Sequence, residues 1–204
     1  FSREAYTFID LLEKAGQSYW QILPLGPTGY GDSPYQSFST FAGNPYYIDL
    51  ESLVEDGLLT KADCEGYDFG DDAEYVDYEK IYLSRFKVLK KAFKNSHIEK
   101  EEAYQSFVEE NAYWLRDYAL YMAVKNAFDG KSWAEWDEDI KLRKPEAIKK
   151  YSEKYAEEIA FYQFQQYLFA KQWFALKEYA NKKKIEIIGD IPIYVAYDSA
   201  DAWA

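Results

Sequence analysis

Nucleophilic and metal-binding side chains are scarce in this 204-residue chain, which has a single cysteine, Cys64, and a single histidine, His97. One cysteine can form neither an intrachain disulfide nor a thiolate metal site, and such scarcity is typical of a reducing, cytoplasmic location. The histidine lies in the polar stretch KNSHIEKEE, which is typical of a solvated surface position. Ser-His-Asp and Cys-His catalysis are therefore close to excluded, and acid–base chemistry would fall to carboxylates. We expect no metal and no cofactor.

Positive charge and long apolar runs are also lacking. Asp and Glu number 36 against 24 Lys and Arg, which gives a net charge of −12. Nucleic acids and anionic membranes are bound by clustered Lys and Arg, so this charge argues against both partners. No run of about 18 apolar residues is present, and the sequence therefore predicts no membrane span. An uncharged ligand fits this composition better.

Aromatic residues, in contrast, make up 20% of the chain. Four of them (Tyr30, Tyr35, Phe38 and Phe41) lie in the segment 25–45, which follows a short apolar run and also holds four Gly and three Pro. A connection of this length in a compact domain is usually functional or disordered, and disordered segments are poor in aromatics. Aromatic faces beside short polar side chains suit the binding of a sugar ring. The alternative is an ordered Ω-loop that packs on its own aromatics.

Hydrophobic spacing predicts an α/β fold in which two short strands are separated by mainly helical chain. Ser2 is a candidate N-cap for a first helix that ends before Gly16. A buried strand is expected at 19–25 and an apolar strand at 185–188. Helices are expected at 51–59, 75–95, 99–128 and 145–184, with an acidic connection at 60–73. The helical stretch is too long for an ordinary connection between strands and therefore indicates an insertion.

The second strand ends in a polar segment that carries Asp190, Asp198, Ser199 and Asp201. Parallel α/β proteins carry their active sites where strands end, so these side chains lie where chemistry is expected. For Asp190, directly after the strand, a functional role and a simple turn role have equal weight. Asp198 with Ser199 fits better as the N-cap of a helix that begins near Ala200.

Two long segments carry a resemblance to a known family: YWQILPLGPTGYGDSPYQSFSTFAGNPYYIDL at 19–50 and IIGDIPIYVAYDSADAW at 187–203. Both closely resemble the 4-α-glucanotransferases (amylomaltases or disproportionating enzymes) of glycoside hydrolase family 77, in the α-amylase clan. The resemblance implies part of a (β/α)8 TIM barrel with a large, mainly helical insertion. We accordingly expect 1–59 to be the N-terminal part of the barrel with a substrate-binding loop. The insertion would cover 60–155, and 156–204 would supply a barrel helix and the following strand.

The resemblance also implies transfer of α-1,4-glucan segments between maltooligosaccharides, starch or glycogen. Such enzymes retain the anomeric configuration, because one carboxylate forms a covalent glycosyl-enzyme while a second carboxyl acts as acid and then base. The family's nucleophile lies in an Arg-x-Asp-His motif, which this chain does not contain. We therefore expect an N-terminal portion with no catalytic residue of its own, whose catalytic carboxylates lie C-terminal to it.

For the loop, the resemblance implies a role in substrate binding. Ser33, Pro34, Tyr35 and Gln36 resemble the loop that lines the donor subsites. Tyr35 would stack on a glucose ring, and Gln36 would bond its hydroxyls. Tyr30 matches a tyrosine associated with a second, remote glucan-binding site.

After the second strand, Asp190 would hydrogen-bond substrate or orient the catalytic groups, and Asp198 and Ser199 are weaker candidates for a supporting role. Two other classes of function remain open. One is a non-catalytic glucan-binding module that uses the loop at 30–41. The other is a helical interaction scaffold in which the Trp and Tyr side chains serve only as core.

Overall fold

The computed structural model describes residues 1–29, 31–72 and 74–204. Within these ranges the chain forms a two-stranded parallel sheet and ten α-helices. The strands are β1 (Tyr19–Gln21) and β2 (Glu186–Ile188). The helices are α1 (Arg3–Lys14), α2 (Leu50–Glu55), α3 (Lys61–Glu65), α4 (Tyr78–Ser96), α5 (Glu102–Glu110), α6 (Ala112–Ala127), α7 (Glu138–Lys141), α8 (Pro145–Lys154), α9 (Ala156–Lys182) and α10 (Ala200–Trp203). Short 3-10 helices cover Pro45–Tyr47, Ile98–Lys100 and Trp133–Glu135.

The two strands pair in parallel, with residues 19–21 opposite 186–188, although most of the chain lies between them. Both strand positions agree with the prediction, but the first strand is shorter than 19–25. Pro24 has no N–H with which to continue the ladder. The prediction that the first strand is buried is wrong, since Tyr19 and Leu23 within the span 19–25 are each 58% exposed. Trp20 and Ile187 pack in the apolar cluster formed with α1 and α9, which covers only one face of the sheet.

Helix α9 lies at the centre of the core, and α1, α4, α5, α6 and α8 all pack against it. Phe164 and Leu168 belong to the apolar cluster shared with α2 and α4. Leu176 and Ala180 belong to the cluster beside α1 and the sheet. Full burial of a Leu or Phe side chain stabilises by about 1.5–3 kcal/mol. One long helix therefore ties the helices between the strands to the sheet.

The single helix predicted over 99–128 is wrong, because α5 and α6 are separate helices that meet at Asn111. The Asn111 side chain donates to the Phe107 carbonyl (2.8 Å) and accepts from the indole N–H of Trp114 (3.1 Å). An amide that bonds to the neighbouring backbone in this way competes with helical hydrogen bonding. The chain is thus interrupted at a residue that hydrophobic spacing alone does not distinguish.

The helix predicted over 145–184 is likewise two helices, α8 and α9, which meet at Tyr155 (φ −112°, ψ 27°). The acidic connection predicted at 60–73 contains α3, which begins with a capping box between Thr60 and Asp63. The division of the chain at 59/60 and 155/156 stays a prediction. In the described part of the chain, no helix combines the length and apolar character needed to cross a membrane.

Candidate functional site

The carboxyl ends of β1 and β2 lead into two segments: the 25–45 loop and residues 189–199, which we call the post-β2 segment. The 25–45 loop folds back on itself. The Asn44 N–H donates to the Leu25 carbonyl (2.8 Å), and the Phe38 N–H donates to the Pro27 carbonyl (3.2 Å). The loop is therefore ordered by its own backbone, while Tyr35 at its outer part remains 46% exposed.

The two segments meet at Tyr35 and Asp190, where the tyrosine hydroxyl donates to Asp190 Oδ2 at 2.8 Å. Asp190 Oδ1 accepts from the backbone N–H of Ile191 at 2.8 Å. The hydrogen bond to Asp190 raises the pKa of Tyr35, and desolvation and the carboxylate charge add to this shift. Both side chains are exposed. A flat aromatic ring and a carboxylate thus lie next to each other in an exposed position.

Ser33 fixes the local backbone around Tyr35. Its carbonyl accepts from the Gln36 N–H (3.1 Å), and its hydroxyl accepts from the Tyr35 N–H (3.4 Å). Pro34 is half-buried between them, and Gln36 is exposed. The structure therefore brings Ser33, Pro34, Tyr35 and Gln36 together in one turn beside Asp190. Tyr30, the remaining residue predicted from the sequence, lies outside the described residues.

Asp198 does not cap α10, and the interpretation of Asp198 as part of an N-cap is wrong. Its carboxylate accepts from Lys125 Nζ (2.6 Å), from the Tyr121 hydroxyl (2.6 Å) and from the Trp133 N–H (3.3 Å). A half-buried carboxylate is stabilised more by a cation and two further donors than by helix-end N–H groups. Ser199 alone caps the helix, accepting from the Ala202 N–H at 3.2 Å.

The charge of Asp198 is maintained by these partners. Burial by itself would raise the pKa of Asp198, but the hydrogen bonds from Lys125 and Tyr121, together with the lysine charge, hold it below the ordinary value. Burial in turn raises the pKa of Tyr121, and the hydrogen bond to the carboxylate raises it further. Asp198 is therefore an ionised carboxylate that is bound by three donors of the protein itself.

Sequence reasoning missed the contacts of one side chain in this region, Asp201, and the whole role of another, Lys125. The Asp201 carboxylate, noted only as lying after a strand, accepts from the Ser39 hydroxyl (2.9 Å) and the Thr40 N–H (2.6 Å) of the 25–45 loop. Lys125 was not predicted at all. Its signal was available, since it is one cation inside the apolar helical stretch YALYMAVKNAF. A lysine on such a stretch needs a partner when it is buried.

In the described ranges, no group of three or more His, Cys, Asp or Glu side chains is arranged so that it could hold a metal ion. His97 is exposed at the end of α4, in the left-handed region with φ 47°. That position agrees with the surface histidine predicted from its polar surroundings. What the region around Tyr35 offers chemically is stacking and hydrogen bonding.

Comparison with known proteins identifies the family. A family model of glycoside hydrolase family 77, described as 4-alpha-glucanotransferase, matches residues 1–204. The chain belongs to glycoside hydrolase family 77. It is 55% identical over 204 residues to a 4-alpha-glucanotransferase of Clostridium butyricum, and 48% identical over 206 residues to one of Thermus thermophilus. Those matches cover 100% and 99% of this chain.

Solved family 77 structures have the same fold. The amylomaltase from Streptococcus agalactiae in complex with acarbose superposes with a TM-score of 0.94 at 47% identity, covering 100% of this chain and 41% of that one. The amylomaltase from Corynebacterium glutamicum, at 21% identity, gives a TM-score of 0.73 over 98% of this chain and 28% of that one, which shows the fold alone. The predicted family and a partial α/β fold are therefore confirmed.

The chain spans 42% of the length of the Clostridium butyricum relative and 40% of the Thermus thermophilus relative. It corresponds to an N-terminal portion of these family 77 proteins, as the sequence predicted, and their catalytic region lies elsewhere. The site described above is accordingly a candidate binding site and not a complete catalytic centre.

Proposed function

We propose that this chain is the substrate-binding N-terminal part of a 4-α-glucanotransferase, which transfers α-1,4-glucan segments between maltooligosaccharides, starch or glycogen. The observation that carries the proposal is the hydrogen bond between Tyr35 and Asp190. It joins an exposed aromatic face to a carboxylate at the carboxyl ends of two parallel strands, the edge at which α/β enzymes bind their ligands.

The chemistry of a pyranose fits these groups. The Tyr35 ring would stack on the apolar C–H face of a glucose unit, and Gln36 would bond its hydroxyls. Asp190 has lone pairs beyond those used by Tyr35 and Ile191 and could accept from a sugar hydroxyl. Ser33 and Pro34 hold the turn that presents the ring. Tyr30 keeps the role that the resemblance gives it, at a remote glucan site.

The bond-breaking steps belong to other parts of the protein. In a retaining mechanism one carboxylate attacks the anomeric carbon while a second carboxyl protonates the leaving oxygen. The acceptor 4-hydroxyl, in place of water, then gives its proton to that second group, attacks the anomeric carbon and releases the first carboxylate. This chain would contribute by holding the donor glucan and by excluding water with aromatic side chains. The isolated chain is therefore expected to form no product.

The proposal includes a (β/α)8 barrel to which β1 and β2 contribute neighbouring strands. The parallel pairing and the one-sided cover of the sheet support this assignment. In it, 1–59 and 156–204 belong to the barrel, and 60–155 to an inserted helical region. The absence of bound nucleic acid, of membrane attachment and of a cofactor stays a prediction, as does a cytoplasmic location.

The test is product analysis on the full-length protein incubated with pure maltotriose. Glucose together with a ladder of longer maltooligosaccharides is the expected result and would establish glucan transfer. Unchanged maltotriose with measurable binding would instead favour a non-catalytic glucan-binding module, which the exposed Tyr35 and Gln36 would also serve. If neither product nor binding is observed, the helical interaction scaffold is the remaining hypothesis. A parallel incubation of residues 1–204 alone checks that the catalytic groups are missing from them.

A further inference from the structure

Lys125 lies on α6, away from the predicted binding residues, yet it contacts both segments that carry them. It is only 8% exposed. Its Nζ donates to Asp198 Oδ2 of the post-β2 segment at 2.6 Å and to the Lys131 carbonyl at 3.3 Å. The same atom lies 5.3 Å from the ring centroid of Phe38, which belongs to the 25–45 loop. One buried cation is thus shared by an ion pair and a cation–π contact.

The post-β2 segment is fixed onto the helices around this cation. Asp198 also accepts from the Tyr121 hydroxyl at 2.6 Å. The carbonyl of the preceding residue, Tyr197, accepts from the Trp133 indole N–H at 2.7 Å. Because its carboxylate accepts from Lys125, Tyr121 and Trp133, Asp198 anchors the segment to the helices.

The 25–45 loop is attached at the same place. The Phe38 carbonyl accepts from the Ala200 N–H at 2.8 Å. Asp201 accepts from the Ser39 hydroxyl at 2.9 Å and from the Thr40 N–H at 2.6 Å. The 25–45 loop and the post-β2 segment are therefore joined twice. One junction is the exposed Tyr35–Asp190 hydrogen bond, and the other is Lys125, which contacts Phe38 and Asp198. The loop is also bonded directly to the start of α10, at Ala200 and Asp201.

We propose that Lys125 is a positioning residue for glucan binding: it fixes the relative position of the 25–45 loop and the post-β2 segment, and so brings Tyr35 and Asp190 together. The inference rests on the proposed function for the identity of the ligand. An exposed hydrogen bond is weak by itself, whereas removal of one partner of an ion pair that includes a buried cation is strongly destabilising. A displacement of about 1 Å in a binding group can cost on the order of a hundredfold in rate.

The test compares Lys125→Met with Lys90→Met in the full-length protein. Lys90 on α4 is a matched control, since it also pairs with a carboxylate, Glu158 of α9, and lies 4.6 Å from the Phe161 ring centroid, within the helical region. Both variants should lower the melting temperature. Only Lys125→Met should raise KM for maltotriose, by about tenfold and by more than it lowers kcat. An equal KM in the two variants would overturn the inference.

A second comparison separates positioning from the cost of a buried unpaired charge. In the double variant Lys125→Met with Asp198→Asn, the carboxylate left without its cation is neutralised. Stability should recover relative to Lys125→Met alone, while KM should stay raised because the cation shared with Phe38 is still missing. If KM recovered together with stability, Lys125 would be no more than a counter-ion and the inference would be wrong.

Hydrogen exchange tests the same idea without reference to activity. Peptides that span 36–42 and 189–199 should exchange faster in Lys125→Met than in Lys90→Met, and unchanged exchange would count against positioning. If Lys125→Met does not fold, Asp198→Asn alone takes its place and should raise KM severalfold. An unchanged KM in that variant would overturn the inference. A wild-type protein that transfers no glucan would refute the proposed function, whereas hydrogen exchange would still decide whether Lys125 fixes the segments.

Discussion

Tyr35 combines two groups that can be separated by mutation. Its ring is an exposed apolar face, and its hydroxyl is the donor that reaches Asp190 at 2.8 Å. A hydrogen bond exposed to solvent in this way contributes little to folding stability, because water can replace either partner. The ring contributes through stacking, which persists when only the hydroxyl is removed.

In the full-length protein we expect Tyr35→Phe to reduce kcat/KM for maltotriose by about 2- to 10-fold with an unchanged melting temperature, since it removes one exposed hydrogen bond. Tyr35→Ala should reduce it much further, because it removes the stacking face as well. Tyr113→Phe is the matched control: it removes a hydroxyl from another exposed tyrosine, whose ring packs edge-on against Phe41. Steady-state kinetics of the three variants checks this, and equal losses in Tyr35→Phe and Tyr113→Phe would contradict it.

At the scale of elements, the 25–45 loop is held to α9 by one glutamine and one glycine. Gln166 accepts from the Gly43 N–H (2.7 Å) and donates to the Gly43 carbonyl (2.9 Å), so both backbone groups are satisfied by a single amide. The backbone can approach α9 this closely only because Gly43 has no side chain. A Cβ added there would lie 2.2 Å from Phe169 Cδ1.

Gly43→Ala should therefore destabilise the full-length protein, by about 1–3 kcal/mol, which is the usual cost of overpacking a well-packed site. The added Cβ would meet three ring atoms of Phe169 at 2.2–2.4 Å, and this ring packs edge-on against that of Phe1, 5.1 Å away. Gly66→Ala serves as the control, since a Cβ at Gly66 meets nothing within 4 Å. Chemical denaturation gives both values. A Gly43→Ala variant as stable as Gly66→Ala would show that the loop has room to shift.

The sequence predicted those elements whose signal is local. The first helix, with Gly16 just beyond its end at φ 69°, and both strand positions follow from spacing and turn chemistry. The breaks at Asn111 and Tyr155 could not be read in the same way, because apolar spacing continues through both residues. The anchoring of Asp198 by Lys125 depends on residues far apart in the chain, which only the folded structure brings within 2.6 Å.

At the scale of the whole molecule, the post-β2 segment exposes more apolar surface than a folded protein usually leaves uncovered. Ile193 is 88% exposed, Tyr194 85% and Ile191 69%. They follow β2 directly, at the edge where a parallel sheet would continue. The Streptococcus agalactiae amylomaltase, of which this chain covers 41%, has the additional chain length to cover such a surface.

We therefore expect the exposed isoleucine Ile193 to be a core residue in the full-length protein. Ile193→Ser should lower its free energy of unfolding by about 1.5–3 kcal/mol, the value for burying an Ile side chain. Leu142→Ser is the control, because Leu142 is also exposed (58%) but lies after α7 in the helical region, and it should change stability by less than about 0.5 kcal/mol. Urea denaturation of both variants decides between the alternatives.

A loss of stability in Ile193→Ser alone would mean that chain beyond these residues packs on the post-β2 segment, which also carries Asp190. Equal, small effects would mean that Ile193 stays in solvent, and the segment would then depend on Tyr35 and the contacts around Lys125 alone.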